Sequence, residues 1–386
     1  MVGFSPFSFM SSSYSPSSSS TPSKRSTSTS AVLLSLFLFL SFVPSGCHAI
    51  HHMKRAPVHW VSQRDNAERL FRVTNLCSND IYPAILTQAG TGPAFGGFLL
   101  GPGNSRNFTV SANWQGRIWA RTNCSFNADG TGPAEEGGID GSGKACLTGD
   151  CGGVVDCKGT GQTPASLAEF TLETGMGISF YDISLVDGYN LPIGIISLHT
   201  ESSDPALASI PPNTTNPICI GSPNLLDQSE EVMNMTIGGQ TYNLPLDRRA
   251  SLHQVERWCP WPLQLQPPWK PGAGVYPYPD DNIKRPAFDP CLSACSKYGK
   301  PSDCCTGKYD SPTTCKPSLY SRAAKTICPD AYSYAFDDHT STFTIKSGAG
   351  FEVVFCPYGR STTILQTVAD LGYTDLAAAQ QPLHGS

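Results

Sequence analysis

Long helical repeats and long apolar runs are both missing from this sequence. No segment repeats its apolar residues every 3.6 positions over many turns, which argues against a helical bundle. The longest apolar run, residues 31–43, has thirteen residues, whereas a membrane-spanning helix needs about twenty. Only 15% of the 386 residues are charged, while glycine and proline number 36 and 32. This composition is typical of a turn-rich protein that is mainly β.

Common catalytic and metal-binding motifs are missing too. The sequence contains no H-E-x-x-H, no G-x-S-x-G and no C-x-x-C, the signatures of zinc proteases, α/β-hydrolases and thioredoxin-like redox centres. Residues 138–145, "GIDGSGKA", approach a phosphate-binding loop but end in Ala, where Ser or Thr must reach magnesium. We therefore predict neither a cofactor nor a metal site.

Three cysteines do lie close together in "ACLTGDCGGVVDC", residues 145–157. A metal knuckle, a redox centre and a disulfide scaffold are the three interpretations of such a cluster. The spacing is C-x4-C-x5-C, not the C-x2-C of zinc sites, and no histidine lies within forty residues. The pattern favours disulfides, which form where a chain is secreted. Within this stretch, Asp150 is interpreted as a turn residue and not as a ligand.

The N-terminal 66 residues have the features of a secreted precursor. Residues 1–30 contain fourteen serines and form a low-complexity extension. Residues 31–49 combine the apolar run with small residues before Ala49, which predicts a signal peptide; a signal anchor is the alternative. Residues 50–66 are interpreted as a short propeptide or linker with a dibasic processing site at Lys54 and Arg55. We predict a secreted protein, extracellular or held in the cell wall.

The mature chain is acidic. The first 55 residues hold four of the 26 basic residues and none of the 31 acidic ones, which leaves a net charge of −9 on the remainder. Such a charge argues against binding to nucleic acid or to anionic membranes. Three sequons are candidate glycosylation sites, namely Asn107, Asn213 and Asn234. A fourth, at Asn123, is disfavoured because Cys124 follows it.

Short segments of alternating apolar and polar residues predict strands from residue 67 onward. They are "FRVTNLC", "NFTVSA", "GRIWART", "LAEFTLET", "GISFYDISLV", "STFTIKS" and "FEVVFC". Residues 290–299 and 317–329 predict short helices. Residues 358–386 follow the last cysteine and are predicted to form a surface tail.

Seven motifs then identify a resemblance. They are "GRIWARTNCSF", "CLTGDCGGVVDCKG", "TPASLAEFTL", "FYDISLVDGYNLP", "CLSACSKYGKPSDCCTGKY", "SRAAKTICPDAYSYAFDD" and "FEVVFCP". In this order the chain resembles the thaumatin-like proteins, a family that includes osmotin, across residues 67–357. The resemblance implies a mainly β fold: a flattened sandwich of about eleven strands, a disulfide-rich loop and helix lobe, and a small looped hairpin lobe. The disulfide-rich lobe would span residues 219–330 and carry long insertions.

The resemblance also implies a pairing for fourteen cysteines, with Cys47 left in the signal peptide. The implied bridges are Cys77–Cys356, Cys124–Cys146, Cys151–Cys157, Cys219–Cys328, Cys259–Cys291, Cys295–Cys304 and Cys305–Cys315. One bridge of the larger plant members is missing, because Ile345 stands at one of its positions. The loops around Cys259 are longer than in the sweet-tasting or plant defence members, which is closer to the fungal branch.

The residues that could carry chemistry are carboxylates on the predicted strands and at their ends. Solvated or capping roles are the ordinary explanation for such residues. In the family, however, matching positions line one acidic cleft, which implies Glu169 as proton donor, Asp187 as the second carboxylate, and Arg117, Asp182 and Asp337 in substrate binding. Asp182 and Asp187 are five positions apart, so they share a cleft only if the chain bends before Gly188. Tyr189 is an aromatic candidate for stacking on a sugar ring.

The implied function is recognition of β-1,3-glucan in fungal cell walls. Weak hydrolysis by carboxylate acid/base catalysis is the leading hypothesis, since glycoside hydrolysis needs two carboxyls in different protonation states. The first alternative is an antifungal defence protein that binds glucan or perturbs membranes without catalysis. A second is an inhibitor or receptor-type binding module. The partner is expected to be cell-wall polysaccharide, and the protein is expected to be a monomer.

Overall fold

Two β-sheets form the body of the protein. The computed structural model describes residues 68–133, 143–220, 259–265, 290–357 and 361–372, with residues 376 and 380 and, for their backbone, 232–237 and 240–245. The predicted extension, signal peptide and propeptide lie outside the described residues, as do most of the long insertions around Cys259. No helix among the described residues is long and apolar enough to cross a membrane.

The first sheet has five strands in the order β3-β1-β13-β8-β9. The strands β1 and β13 pair in parallel, and the other neighbours are antiparallel. The bounds are β1 Arg69–Asn75, β3 Ser105–Val110, β8 Ile193–Ser197, β9 Ile218–Cys219 and β13 Phe351–Phe355.

The second sheet has six antiparallel strands, five in the order β12-β7-β6-β4-β2 and a sixth, β5, paired with β4. The two sheets therefore hold eleven strands, as the resemblance implied. A hairpin of β10 Val232–Ile237 and β11 Gln240–Pro245 lies in the insertion. The other bounds are β2 Tyr82–Ala89, β4 Gln115–Cys124, β5 Cys146–Thr148, β6 Leu167–Thr171, β7 Ile178–Ser184 and β12 Phe343–Lys346.

Aromatic side chains join the two sheets. The ring of Phe71 on β1 lies 5.0 Å from Phe170 on β6, 5.1 Å from Trp114 and 5.7 Å from Phe351 on β13. All four side chains are buried. Residues alternate on a strand, so a strand that turns one face to this core turns the other face away from it. The outer face of the second sheet is where the polar residues of the candidate site lie.

The remaining regular secondary structure among the described residues consists of short helices. Both predicted helical segments contain one: Ser293 caps the helix α2 through its side chain, and Gly299 ends it in the left-handed conformation at φ +61°. The bounds are α1 Pro205–Ala208, α2 Ala294–Tyr298, α3 Pro301–Cys304, α4 Leu319–Ile327 and α5 Ile364–Asp370. Single turns of 3₁₀ helix lie at His199–Glu201, Pro212–Thr214, Trp261–Leu263, Gly307–Tyr309 and Asp338–Thr340.

All seven disulfides implied by the resemblance are present. In the cysteine-rich loop of residues 145–157, the carboxylate of Asp150 accepts hydrogen bonds from the backbone N–H groups of Ala145, Cys146 and Gly153, at 2.8 to 2.9 Å. Asp150 is therefore a turn residue, as predicted. The buried guanidinium of Arg121 also binds this loop, donating to the carbonyls of Val154 and Val155 at 2.6 and 2.8 Å.

The described part of the C-terminal segment, residues 361–372, is not the surface tail that the sequence predicted. Ile364, Leu365 and Val368 on α5 are buried in the main hydrophobic core. The first turn of this helix donates from the backbone N–H groups of Ile364 and Leu365 to the buried carboxyl of Asp330, at 2.8 and 3.0 Å. The prediction was wrong because the residue that caps α5, Asp330, lies 34 positions away from Ile364 in the chain. The local sequence around the helix does not show this contact.

The structure describes the three candidate glycosylation sites to different extents. Asn107 is exposed on β3, and its side-chain oxygen accepts a hydrogen bond of 3.2 Å from Nε of Arg72. Asn213 and Asn234 have only a described backbone. Glycosylation at these positions stays a prediction.

The packing of α5 can be tested by mutation. Ile364→Ala removes a side chain that is only 3% exposed, so we expect it to lower the free energy of unfolding by about 3 kcal/mol through lost burial and a residual cavity. Denaturant titration with the disulfides intact measures this. Gln366→Ala, on the exposed side of the same helix, should change stability by less than about 0.5 kcal/mol. Equal effects of the two variants would contradict the docking of α5.

Candidate functional site

Three adjacent strands of the second sheet place polar side chains side by side. Arg117 on β4 is directly opposite Glu169 on β6, and Glu169 is directly opposite Asp182 on β7. Residues in register on neighbouring strands point to the same face of a sheet. On β7 the flanking residues Tyr181 and Ile183 are fully buried on the core side, so Asp182 points to the outer face. The structure thus brings together three of the predicted site residues.

Arg117 and Glu169 form a buried ion pair at the centre of this face. Arg117 Nε lies 3.8 Å from Glu169 Oε1, and the side chains are 4% and 2% exposed. Neither Arg117 Nε nor either carboxylate oxygen of Glu169 has a hydrogen-bond partner within the described structure, and the same holds for Asp182 Oδ1. Buried polar atoms are nearly always paired in proteins. Four such atoms in one place make this part of the sheet the candidate functional site.

Asp182 has a strongly perturbed acidity. Burial is the main cause that raises the pKa of its carboxyl well above the usual range, and the negative charges of Glu169 and Asp338 raise it further, against the opposing effect of Arg117. Burial disfavours the charged form of a carboxyl, and nearby like charges do the same. Asp182 is therefore a carboxyl that keeps its proton at a pH where a solvated aspartate would lose it.

Asp187 approaches the same cluster from the turn that follows β7. The chain turns over Leu185 to Gly188, where the Gly188 N–H donates to the carbonyl of Leu185 at 3.0 Å. Gly188 has φ +98°, and a Cβ there would lie 2.3 Å from the carbonyl oxygen of Cys291, so only glycine fits. This is the bend that the sequence required if Asp182 and Asp187 were to share one cleft.

The electrostatic environment of Asp187 links it to the sheet residues. Burial raises the pKa of Asp187 to about 7, with Arg117 lowering it and Glu169 raising it to a smaller extent. Charges influence a carboxyl in this way only at short range. Asp187 thus belongs to the same cluster as Arg117 and Glu169, with a pKa suited to proton transfer near neutral pH.

Asp337 is engaged in other contacts. Its Oδ2 accepts from the N–H and hydroxyl of Ser333 at 3.0 and 2.8 Å and lies 3.2 Å from Lys325 Nζ. Its Oδ1 accepts from the Thr340 hydroxyl at 2.9 Å. These bonds occupy both carboxylate oxygens, so Asp337 stabilises the loop between α4 and β12. A direct contact with substrate, as predicted for it, would have to compete with four existing interactions.

The neighbouring residue Asp338 is, after Glu169, the second carboxyl whose charge acts on Asp182. Its charge contributes to the raised pKa of Asp182, and its Oδ1 accepts a hydrogen bond of 2.8 Å from the hydroxyl of Tyr332. The sequence shows both aspartates in "AFDD" but not which of them acts on Asp182.

Tyr189 does not lie in the cleft surface. Its side chain is 1% exposed and belongs to the main hydrophobic core, and its backbone forms a bridge with Cys291 through two hydrogen bonds of 2.8 Å. A ring buried in this way cannot stack on a sugar, so the structure replaces the predicted binding role with a structural one. Among the residues described, no group of three or more His, Cys, Asp and Glu side chains has the geometry of a metal site.

The pKa of Asp187 makes a prediction about stability. Between about pH 4 and 7 the native state keeps a proton that the unfolded chain has released, so this carboxyl lowers native stability as the pH rises through that window. Asp187→Asn removes the effect. We expect the variant to be about 4 kcal/mol more stable than the parent at pH 8, with little difference at pH 3.

Chemical denaturation at the two pH values measures the difference. Asp80→Asn, which changes an exposed carboxyl, is the matched control and should give no pH-dependent gain. An Asp187→Asn variant that is equally stable relative to the parent at both pH values would show that this carboxyl is not desolvated.

Comparisons with known proteins agree with this architecture. The model of the thaumatin family matches residues 75–357. "Thaumatin-like protein 1" of Arabidopsis thaliana is 37% identical over 293 residues, which cover 74% of this chain and 85% of that protein. "Pathogenesis-related thaumatin-like protein 3.5" of Cryptomeria japonica is 36% identical over 294 residues, or 75% of this chain and 90% of that protein.

Both relatives come from plants, whereas the long loops pointed to the fungal branch. Among solved structures, a laminaripentaose-producing β-1,3-glucanase in complex with laminaritetraose aligns with 75% of this chain and 99% of its own, at 13% identity and a TM-score of 0.35, a likeness too distant to assign an activity. The family match and the identities above settle the classification: this chain belongs to the thaumatin family.

Proposed function

We propose that this protein is secreted, binds β-1,3-glucan of fungal cell walls and hydrolyses it slowly in the acidic cleft. The observation that carries the proposal is the cluster of buried Arg117 and Glu169 with partly buried Asp182 and Asp187, in which four buried atoms have no hydrogen-bond partner within the described structure. Sugar hydroxyls both donate and accept hydrogen bonds, so a glucan chain would satisfy donors and acceptors together. Seven disulfides support the secreted location, because they persist in oxidising compartments.

The environments of the two proposed catalytic carboxyls favour different roles from those first expected. Glu169 forms an ion pair with Arg117 at 3.8 Å. Burial raises the pKa of Asp187 to about 7, so Asp187 is the carboxyl that is protonated in mildly acidic solution. Asp187 is thus the better proton donor to the leaving oxygen, and Glu169 the better base or nucleophile. Asp182 and Asp338 then hold hydroxyl groups of the substrate.

One observation favours a binding function without catalysis. Glu169 is only 2% exposed, and a carboxylate that acts on a glycosidic bond must reach the reacting carbon or its attacking water. If Glu169 stays as buried when glucan is bound, its role is to hold Arg117 in place. The protein then recognises the wall without cleaving it. The non-catalytic antifungal alternative therefore remains the second candidate function.

A hydrolysis assay separates the two candidates. Soluble β-1,3-glucan is incubated with the purified protein and the new reducing ends are measured, with binding measured in parallel. We expect slow release that falls by a factor of about 100 or more in Glu169→Gln and in Asp187→Asn. The control is Glu352→Gln, which alters a Glu that is ion-paired with Arg72 at 3.4 Å in the other sheet. This variant should keep full activity.

An activated substrate tests the assigned roles. A nitrophenyl glycoside needs no protonation of its leaving group, so Asp187→Asn should recover most of its activity on that substrate while Glu169→Gln should not. The opposite pattern would return the donor role to Glu169. Binding without any release of reducing ends by the parent protein would reject hydrolysis and leave the binding function.

A further inference from the structure

The turn that carries Asp187 is held largely by Tyr332 and by residues of the disulfide-rich lobe. Its first residue, Leu185, donates from its N–H to the carbonyl of Tyr332 at 2.8 Å. The carbonyl of Leu185 accepts a hydrogen bond of 2.7 Å from the hydroxyl of Tyr320 on α4. The beginning of the turn is thus fixed on its donor side by Tyr332, which follows the lobe, and on its acceptor side by Tyr320 within the lobe.

The end of the turn is fixed in the same way. The hydroxyl of Ser296 on α2 donates to the carbonyl of Asp187 at 3.4 Å. Beyond the turn, Tyr189 and Cys291 exchange two backbone hydrogen bonds of 2.8 Å. The close approach of Cys291 at Gly188 leaves no room for a side chain. Asp187 therefore keeps its position through contacts with α2, α4 and the chain around Cys291.

Arg117, Glu169 and Asp182 are positioned by a different part of the molecule, namely the register of β4, β6 and β7. The spacing between the Glu169 and Asp187 carboxyls consequently depends on how the lobe holds its turn. Tyr320 supplies the buried hydroxyl that binds the Leu185 carbonyl, and its side chain is 1% exposed. The same carbonyl accepts the Gly188 N–H, which closes the turn.

We propose that Tyr320 is a positioning residue, which acts through the carbonyl of Leu185 to hold Asp187 at its working distance from Glu169. The catalytic part of this inference rests on the proposed glucan hydrolysis; the positional part does not. Without the hydroxyl, the Leu185 carbonyl keeps only its bond within the turn. The turn is then free to move and to admit water to Asp187, and a misplacement of about 1 Å can cost a factor of about 100 in rate.

A pair of matched tyrosine variants tests this inference. Tyr320→Phe removes the hydroxyl at the turn. Tyr181→Phe removes a hydroxyl of equal burial that donates to the carbonyl of Thr215, also at 2.7 Å, on the core side of β7. Both changes delete one buried hydrogen bond to a backbone carbonyl, so their effects on overall stability should be similar. Only the first should alter the cleft.

The main readout needs no substrate. Carboxyl-carbon NMR follows the titration of Asp187, whose charged and polar neighbours are Arg117 on β4, Glu169 on β6 and Tyr320 on α4. We expect the pKa of Asp187, about 7 in the parent protein, to fall toward the ordinary aspartate range in Tyr320→Phe, because water reaches a carboxyl that burial had kept protonated. In Tyr181→Phe it should stay as in the parent.

Kinetics on soluble glucan supply the second readout. Tyr320→Phe should lower kcat about tenfold and leave KM within about a factor of two, since the substrate contacts of the sheet residues persist. Tyr181→Phe should leave both constants unchanged. A parent protein without hydrolytic activity would reject the proposed catalysis, while the NMR titration would still decide whether Tyr320 positions Asp187.

Two results would overturn the inference. One is an unchanged Asp187 titration in Tyr320→Phe, and the other is an equal change in both tyrosine variants, which would reveal a general loss of packing. If Tyr320→Phe does not fold, Ser296→Ala takes its place, because it removes the hydrogen bond to the Asp187 carbonyl at the other end of the turn. A smaller shift in the same direction then supports the inference, and no shift refutes it.

Discussion

A single buried guanidinium faces three carboxyls, and the rest of the structure has to accommodate that imbalance. Arg117 is in register with Glu169, Glu169 is in register with Asp182, and Asp187 approaches from the turn beyond β7. Outside bulk water, three carboxyls beside one cation do not all ionise together, so part of the cluster keeps its protons. Such a group of charges costs stability on its own. It is maintained because the sheet and the lobe fix its members from two sides.

The covalent framework offsets that cost. The bridge between Cys77 and Cys356 spans 279 residues, and a loop of that size is worth on the order of 5 kcal/mol in the chain-entropy model. The bridge between Cys259 and Cys291 lies beside the turn of Asp187, since Cys291 pairs with Tyr189 through its backbone. The disulfides therefore stabilise the fold and also fix the part of the lobe that borders the cleft.

Much of this fold could be predicted from the sequence, and the exceptions have physical causes. The alternation of apolar and polar residues identified strands with one buried face. It did not identify β2, which contains Pro83 in "YPAILTQA", or β8, which is a short apolar run inside its sheet. Neither strand shows a clear period of two. The resemblance supplied the cysteine pairing, which spacing alone leaves open. The site was harder to predict, because the burial of Tyr189 depends on Cys291, far away in the chain, and because Asp337 is engaged by Ser333, Thr340 and Lys325.

The parallel pairing of β1 with β13 has a consequence for how the protein is made. These strands come from opposite ends of the body, and five residue pairs join them. The edge of β1 that pairs with β13 therefore stays without its partner strand until almost the whole body has been synthesised. Contacts between such distant segments make folding slow, and fourteen cysteines are reactive during that time. The biogenesis of this protein should depend on chaperones and disulfide isomerases more than its stability once folded would suggest.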